Sequence, residues 1–361
     1  MSIAEAAAIS EREIAGLFAS FPRSGCVILA VSGGADSTAL MVLAQRWRRR
    51  RTRAPALVVA TVDHGLRPGS RAEAKAVGTR ARRLGLPHEI LVWRGAKPTA
   101  GVEAAAREAR YRLLAELARR LGADAIATAH TLDDQAETVL MRLAAGSGPA
   151  GLAGIRPRDA RHGIVLLRPF LAVRKARLLA TLARAGIGWV DDPMNADPGF
   201  ARVRLRAAGA VLAREGLTPE RVGRLAERMA RYEAAVGAAV DAARTRIADP
   251  QRPGLLDGRA LIAAPEEIAL RLLAGAIVGA GAPCATEKPL RLQRLESLWY
   301  ELRAAIAAGR ATRRTLADAL ITVDRAGAVL ITPAPPRRSP QAGAVSRGRR
   351  NAAKHPFTKP R

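Results

Sequence analysis

The sequence predicts an α/β fold, in which a doubly wound parallel sheet of five strands is followed by a mainly helical carboxy-terminal module. Three observations favour this fold. Short apolar runs alternate with amphipathic helical patterns over residues 1–210. The first of these runs leads through a glycine-containing turn directly into a helix. Beyond residue 210, long helical patterns rich in Ala, Leu and Arg replace the strand-like runs.

The five strands are predicted from apolar runs bounded by polar turn residues, at 27–31, 56–62, 88–93, 125–128 and 165–168. Helical periodicity around these runs predicts helices at 3–20, 38–47, 70–84, 98–121 and 175–185, with a further amphipathic helix after residue 138. Because helices separate the strands along the chain, we expect the strands to pair in parallel.

The second half of the chain is predicted to be helical at 218–247 and 265–309. Alternating apolar residues over 314–332 predict a hairpin that turns at 324–327. From residue 333 onward the chain has eight Lys or Arg and no acid, which is typical of a disordered tail. We therefore predict an α/β domain at 1–210, a mainly helical module at 211–332 and a basic disordered tail at 333–361.

The charge of the chain indicates a polyanionic partner. Lys and Arg number 59 against 32 Asp and Glu, which gives a formal net charge of +27. Aromatic residues make up only 3% of the chain, too few for a sheet that binds single strands by base stacking.

The cysteine content argues against several kinds of site. The two cysteines, Cys26 and Cys284, form no CxxC pair, so disulfide frameworks and cysteine-based zinc or iron–sulfur sites are disfavoured. The first residues lack the charge pattern of a signal peptide, and no apolar run reaches membrane-spanning length. We expect a cytoplasmic protein.

The turn after the first strand has the composition of a phosphate-binding loop. Its candidate residues are Ser32, Gly33, Gly34, Ala35, Asp36 and Ser37. Gly33 and Gly34 allow backbone N–H groups to converge on a phosphate, and the following helix adds the positive end of its dipole. A carboxylate such as Asp36 is repelled by polyphosphate unless a cation such as Mg²⁺ lies between them, so the loop favours metal-bound nucleotide.

This loop is neither a Walker loop nor a dinucleotide fingerprint, because Gly-Lys-Ser/Thr and GxGxxG are both missing from it. The alternative is an ordinary strand-to-helix turn with a Ser or Asp cap.

Two further segments carry charged side chains at helical spacing. Glu103, Arg107 and Arg110 lie on one face of the predicted helix 98–121, where the alternative is a surface Glu–Arg pair. Asp134 and Glu137 likewise share one face, after His130.

Thr131 and Asp134 have the spacing of a capping box, so one carboxylate has a structural role available. The pair Asp134 and Glu137 near a phosphate site is suited to a cationic substrate or a metal. Zinc is less favoured, because His130 is a single imidazole without cysteine partners.

These motifs occur in the order found in one known family. They are the loop 32–37 (SGGADS), 62–67 (VDHGLR), 103–111 (EAAAREARY), 130–138 (HTLDDQAET), 146–148 (GSG), Arg168-Pro169, Asp191-Asp192-Pro193 with Asn195, Arg202 and Arg206. Together they resemble the tRNA(Ile)-lysidine synthetase family of PP-loop ATP pyrophosphatases, closely over the first 210 residues and loosely beyond. Two departures, Met194 where the family usually has Ser and Val203 where Asn is usual, leave the role of that loop open.

The resemblance implies an enzyme that uses ATP, Mg²⁺ and free L-lysine to convert the wobble cytidine of a tRNA(Ile) with a CAU anticodon into lysidine. Pyrophosphate would leave into the loop 32–37, with Mg²⁺ near Asp36. Arg110 and Arg107 would contact the α-phosphate, and His130 would donate to a phosphate. Asp134 and Glu137 would hold the lysine, and one of them would accept a proton. The helical module 211–332 would contact the tRNA.

Two other functions are considered beside this one. A PP-loop tRNA thiolase would replace the same oxygen with sulfur, but such enzymes usually need a catalytic cysteine or CxxC. A non-catalytic tRNA-binding protein would explain the basic surface, although not the complete set of Asp36, Arg110, Asp134 and Glu137. The sequence does not indicate the oligomeric state.

Overall fold

The computed structural model of the chain describes residues 6–66, 68–190, 199, 201–280 and 290–335. The chain divides into two compact units between Ala235 and Val236. The predicted loop 191–197, Cys284 and the predicted tail from residue 336 onward lie outside the described residues. The domain limits predicted at residues 210 and 332 mark changes in sequence pattern, and they stay predictions.

The first unit is built on a six-stranded sheet with strand order β3-β2-β1-β4-β6-β5. Its strands are β1 Cys26–Ala30, β2 Ala56–Asp63, β3 His88–Val92, β4 Ala125–Ala127, β5 Arg158–Arg161 and β6 Ile164–Leu167. The five strands predicted from the sequence are all present and pair in parallel. The sixth, β5, pairs antiparallel with β6 at the edge of the sheet.

Helices cover both faces of this sheet, which confirms the doubly wound arrangement. The described helices up to residue 214 are α1 Glu11–Leu17, α2 Ala35–Arg49, α3 Ser70–Arg83, α4 Val102–Leu121, α5 Leu132–Ala144, α6 Pro149–Leu152, α7 Lys175–Arg184, α8 Ala201–Ala207 and α9 Gly209–Arg214. Alternate residues of β1 face opposite cores: Leu29 packs in the core formed with α2, α3 and α7, while Ile28 packs in the core formed with α4.

The first helix is shorter than the sequence predicted. It was expected over 3–20, but α1 begins only after Ser10, which forms a capping box with Glu13. The Ser10 side chain accepts a hydrogen bond from the Glu13 backbone N–H, and the Glu13 carboxylate accepts from the Ser10 N–H. The capping box fixes the start of the helix at this point, because it satisfies backbone donors that have no intrahelical partner.

The second unit packs helices against a four-stranded antiparallel sheet with strand order β7-β10-β9-β8. Its elements are α10 Pro219–Ile247, which begins in the first unit, β7 Leu255–Asp257, α11 Gly258–Ala263, α12 Glu266–Ala280, α13 Leu292–Ala307, β8 Thr312–Leu316, β9 Ala319–Val323 and β10 Ala328–Pro333. The predicted hairpin is present as β9 and β10. The described helices include none that is both long and apolar enough to cross a membrane.

Candidate active site

The candidate site lies where the order of strands in the first sheet reverses direction. From β1 the chain continues to β2 and β3 on one side, and it then returns to place β4 and β6 on the other side. The loops that follow β1, β4 and β6 leave this edge of the sheet and lead into α2, α5 and α7. Ligands of doubly wound sheets bind at such a switch point, outside the carboxyl ends of the strands.

The phosphate loop between β1 and α2 is held as a tight turn by its own side chains. The Ser37 hydroxyl accepts hydrogen bonds from the backbone N–H groups of Ser32 and Gly33, both at 3.2 Å, and donates to the Gly34 carbonyl at 3.0 Å. Gly33 has φ +98°, and a Cβ there would lie 3.2 Å from Val77 Cγ2. A side chain at position 33 would therefore be both strained and crowded.

Asp36, in the first turn of α2, is paired with a lysine that the sequence motifs do not include. Its Oδ2 lies 3.2 Å from Lys175 Nζ, at the start of α7. Its Oδ1 is buried and has no hydrogen-bond partner among the described residues. Burial raises the pKa of Asp36; Lys175 opposes this shift, and the nearby Asp134 adds to it. Lys175 is the first residue of α7, the helix that follows the loop after β6. This position is the sequence feature from which its place at the site could have been predicted.

The two aspartates at the start of α5 have different environments. Asp134 forms the predicted capping box: its Oδ2 accepts from the Thr131 backbone N–H and hydroxyl, both at 2.8 Å. Its Oδ1 is 3.8 Å from Arg206 Nη2. Asp133 instead accepts from the Lys175 backbone N–H at 2.7 Å and pairs with Arg174 at 3.2 Å. Asp133 thus anchors the start of α7, and Asp134 keeps one oxygen for another partner.

Glu137 binds a guanidinium group through both carboxylate oxygens. Arg206 of α8 places its Nε 2.6 Å from Oε1 and its Nη2 3.0 Å from Oε2. The Glu137 side chain is only 9% exposed. Burial raises its pKa, and the hydrogen bonds from Arg206 oppose that shift. The acidic pair Asp134 and Glu137 therefore already holds a cationic group, a contact that the sequence around Arg206 does not predict.

His130 lies close to this acidic pair as a neutral imidazole. Its Nδ1 is 2.9 Å from the Thr128 hydroxyl. Burial lowers the pKa of His130 to about 4; Asp134 opposes this shift, and Arg168 and Arg107 reinforce it. At neutral pH His130 can therefore offer one hydrogen bond to a ligand, but no positive charge.

Arg107 and Arg110 approach the site from α4. The Arg107 guanidinium lies over the Tyr111 ring, 5.2 Å from its centroid, and it is near enough to His130 to lower that pKa. Arg110 Nη2 is 3.5 Å from His64 Nε2, beyond the end of β2. Burial, and secondarily Arg110, lower the pKa of His64 to about 4. Arg107 therefore lies near the end of β4 and Arg110 near the end of β2, both at the carboxyl edge of the sheet.

The depressed histidine pKa values predict a pH-dependent stability. Between pH 6.5 and about 4, the unfolded chain binds protons at His130 that the folded protein does not. The free energy of unfolding should therefore decrease as the pH falls through this range. We expect His130→Gln to reduce that decrease, measured by denaturant unfolding at pH 7.5 and pH 5. An unchanged pH dependence in the variant would contradict the burial of a neutral His130.

Known proteins are similar to this chain in sequence and in fold. Residues 6–211 match the PP-loop domain family. The tRNA(Ile)-lysidine synthase of Methylobacterium nodulans is 55% identical over 326 residues, covering 88% of this chain and 92% of that protein. The chain belongs to the tRNA(Ile)-lysidine synthase family. Another member, from Bradyrhizobium sp. BTAi1, is 50% identical over 91% of this chain and 96% of its own length.

Family membership makes the chain a ligase-type enzyme with a PP-loop ATP-binding domain, and it implies a tRNA substrate. The fold is also similar to a solved structure, the U34-tRNA thiolase NcsA from Methanococcus maripaludis with its [4Fe-4S] cluster. The TM-score is 0.52, with 17% identity over 60% of this chain and 77% of that one. At this identity, the likeness shows a shared fold alone.

Proposed function

We propose that the protein joins lysine to C2 of the wobble cytidine of an isoleucine tRNA with a CAU anticodon. The reaction uses ATP, passes through an adenylated tRNA and releases AMP and pyrophosphate. One observation carries the proposal: Lys175 joins the phosphate loop to the acidic start of α5, because its Nζ lies 3.2 Å from Asp36 Oδ2 and its backbone N–H donates to Asp133 Oδ2 at 2.7 Å. The proposed sites for the nucleotide and for the lysine would thus adjoin at one sheet edge.

The chemistry requires two displacements. The cytosine C2 oxygen is a poor leaving group, so it first attacks the α-phosphate of ATP and displaces pyrophosphate. The lysine ε-amine, once deprotonated, then forms a bond to C2 and displaces AMP. The wobble base belongs to a single-stranded loop, so it can enter a pocket without the cost of opening a duplex.

The loop 32–37 is suited to the departing pyrophosphate, because its N–H groups and the start of α2 favour an anion. Asp36 also fits a divalent cation, since its buried Oδ1 has no partner among the described residues. Mg²⁺ prefers few protein carboxylates together with phosphate oxygens and water. When bound, Mg²⁺ would neutralise charge on the leaving group. Asp36 would hold it beside the loop.

The α4 arginines are proposed to bind the α-phosphate, because a guanidinium fork matches phosphate oxygens. Arg110 is preferred for direct contact, because its guanidinium lies 3.5 Å from His64 and pairs with no acid among the described residues. Burial lowers the pKa of Arg110, so water screens its charge poorly and an anion would be a favourable partner. Arg107 lies nearer His130, whose neutral ring can donate a single hydrogen bond to a phosphate oxygen.

The acidic pair is proposed to bind the substrate lysine. Asp134 Oδ1 and both oxygens of Glu137 face the Arg206 guanidinium, which supports the proposal that this position favours a cation. An entering ammonium group would compete with Arg206 for these oxygens. A carboxylate whose pKa is raised by burial, as that of Glu137 is, is also a better proton acceptor for the ε-amine.

Mass spectrometry of isoleucine tRNA after incubation with the protein, ATP and lysine tests the proposed function. The expected product is a nucleoside heavier by lysine less water, formed only when all components are present. Pyrophosphate release that depends on tRNA, followed by AMP release that depends on lysine, would exclude a non-catalytic tRNA-binding protein. An unmodified tRNA under these conditions would overturn the proposal.

The thiolase alternative is tested through the cysteines. Cys26 lies within β1, where burial raises the pKa of its thiol and keeps it protonated, so it is a poor nucleophile at neutral pH. We expect the double variant Cys26→Ala and Cys284→Ser to retain product formation within about twofold, because both substitutions are small and most such changes cost little stability. Specific loss of product in a folded variant would favour sulfur chemistry instead.

A further inference from the structure

We propose that Lys175 is a pyrophosphate-binding residue that exchanges partners when the nucleotide binds. In the free protein its ammonium group neutralises Asp36. When Mg²⁺-bound polyphosphate enters the loop, Asp36 would hold the metal and Lys175 would transfer to the phosphate oxygens. This inference rests on the proposed function, because it assumes that the loop 32–37 receives the β- and γ-phosphates of ATP.

Asp36 and Lys175 lie close together beside the phosphate loop. Asp36 lies in the first turn of α2 and Lys175 is the first residue of α7, so both sit at helix N-termini that open on the same edge of the sheet. Lys175 Nζ is 3.2 Å from Asp36 Oδ2. An ammonium group this close to the phosphate loop is within reach of an anion that the loop binds.

The Lys175 side chain can move although its backbone is anchored. Its backbone N–H is fixed by Asp133 Oδ2 at 2.7 Å, so the start of the side chain is anchored. The side chain itself is 41% exposed, and its charged end makes one ion pair among the described residues, the one with Asp36. A lysine has a flexible four-carbon stem, so Nζ can move several ångströms without any movement of α7.

The charge balance at Asp36 favours a bound divalent cation. A carboxylate with a buried, unpartnered Oδ1 and a second oxygen on an ammonium group is an incomplete site that a divalent cation completes. A metal bound to Asp36 removes the negative charge that holds Lys175. The ammonium group then lies beside new phosphate charges, which are its nearest remaining anionic partners.

A purely static role predicts a different outcome. If Lys175 only neutralises Asp36, its loss would leave polyphosphate binding at saturating Mg²⁺ unchanged, since the metal then replaces its charge. If Lys175 exchanges partners, its loss removes a contact to phosphate and also removes a competitor of Mg²⁺. The lost contact weakens pyrophosphate binding, whereas the lost competitor lowers the Mg²⁺ concentration that is needed, so the two effects can be measured separately.

Calorimetric titration of the full-length protein with inorganic pyrophosphate, at a series of Mg²⁺ concentrations, tests the inference without tRNA or lysine. We expect Lys175→Met to weaken pyrophosphate binding at saturating Mg²⁺ by about 10-fold or more, the range of a lost hydrogen bond to a charged group. We also expect the Mg²⁺ concentration at half-maximal binding to fall. Lys175→Arg, which keeps the charge, should restore most of the affinity.

The matched control is Lys75→Met, which removes an exposed lysine from α3. It should behave as wild type in both measurements, and a circular dichroism spectrum verifies that each variant is folded. Unchanged or tighter pyrophosphate binding by folded Lys175→Met would overturn the inference and leave the proposed function standing. A wild-type protein that binds neither pyrophosphate nor ATP with Mg²⁺ would instead overturn the proposed nucleotide site.

Discussion

Asp36→Asn is expected to lower the rate of pyrophosphate release by about three orders of magnitude, equivalent to about 4 kcal/mol of transition-state stabilisation. The amide keeps the size of the side chain but carries no negative charge with which to hold Mg²⁺ against the leaving pyrophosphate. The fold should be preserved, because burial already disfavours the charged form of Asp36. Affinity for tRNA should also be preserved, since RNA phosphates contact cations rather than this carboxylate.

The measurements are a coupled assay of pyrophosphate release, a thermal melt and a tRNA-binding titration on the same preparation. Asp241→Asn is a suitable control, because it removes an exposed carboxylate of α10 that pairs only with Arg244 among the described residues. Wild-type rates in Asp36→Asn would remove Asp36 from the mechanism. Loss of tRNA binding together with activity would instead indicate a damaged fold.

The parallel strands of the central sheet could be predicted because buried strands have a recognisable apolar pattern in the sequence. The parallel strands are covered on both faces, so they appear as continuous apolar runs that end at polar turns. The strand β5 was missed because it is an exposed edge with the sequence RDAR, which offers no apolar pattern. Its pairing depends on β6, and it could not be recognised from its own residues.

In the second unit, one hairpin turn could be predicted from the sequence and another could not. The turn at 324–327 ends in Gly327, with φ +92°, and this glycine made the β9–β10 hairpin recognisable. The turn between β8 and β9 uses Ala317 and Asp318, both with positive φ, and Ala is not a residue that such turns usually contain. Strand β8 was therefore not separated from β9 in the sequence.

Local spacing singles out the candidate site residues, but it does not predict the contacts that they make with one another. The loop 32–37 and the α5 carboxylates follow from local spacing. Arg206 and Glu137 are 69 residues apart, and their contact depends on where α8 lies against α5. Lys175 reaches Asp36 only because β6 pairs with β4, which places α7 beside α2. Such contacts follow from topology, which the spacing of residues within one motif does not encode.

Glu137→Gln is expected to raise the lysine concentration needed for half-maximal product formation by about 10- to 150-fold. This range corresponds to about 1.5–3 kcal/mol for a hydrogen bond to a charged group. The reason is the burial of Glu137: its side chain is 9% exposed, so water cannot replace the lost charge. The amide also offers one acceptor oxygen where the carboxylate offers two, so an ammonium group bound there is less well satisfied.

The same variant should leave tRNA affinity and its salt dependence unchanged, because the salt dependence reports contacts between cations and phosphates. The test is a lysine titration of product formation and a salt series of tRNA binding. Glu116→Gln, on the exposed face of α4, is the matched control, since it breaks a surface pair with Arg112 at 2.9 Å and should alter neither measurement. If Glu137→Gln changed the salt dependence and left lysine use intact, the acidic pair would belong to the tRNA side of the site. In that case the Glu137–Arg206 pair would position a phosphate-binding arginine, and the lysine site would have to be sought nearer Asp134.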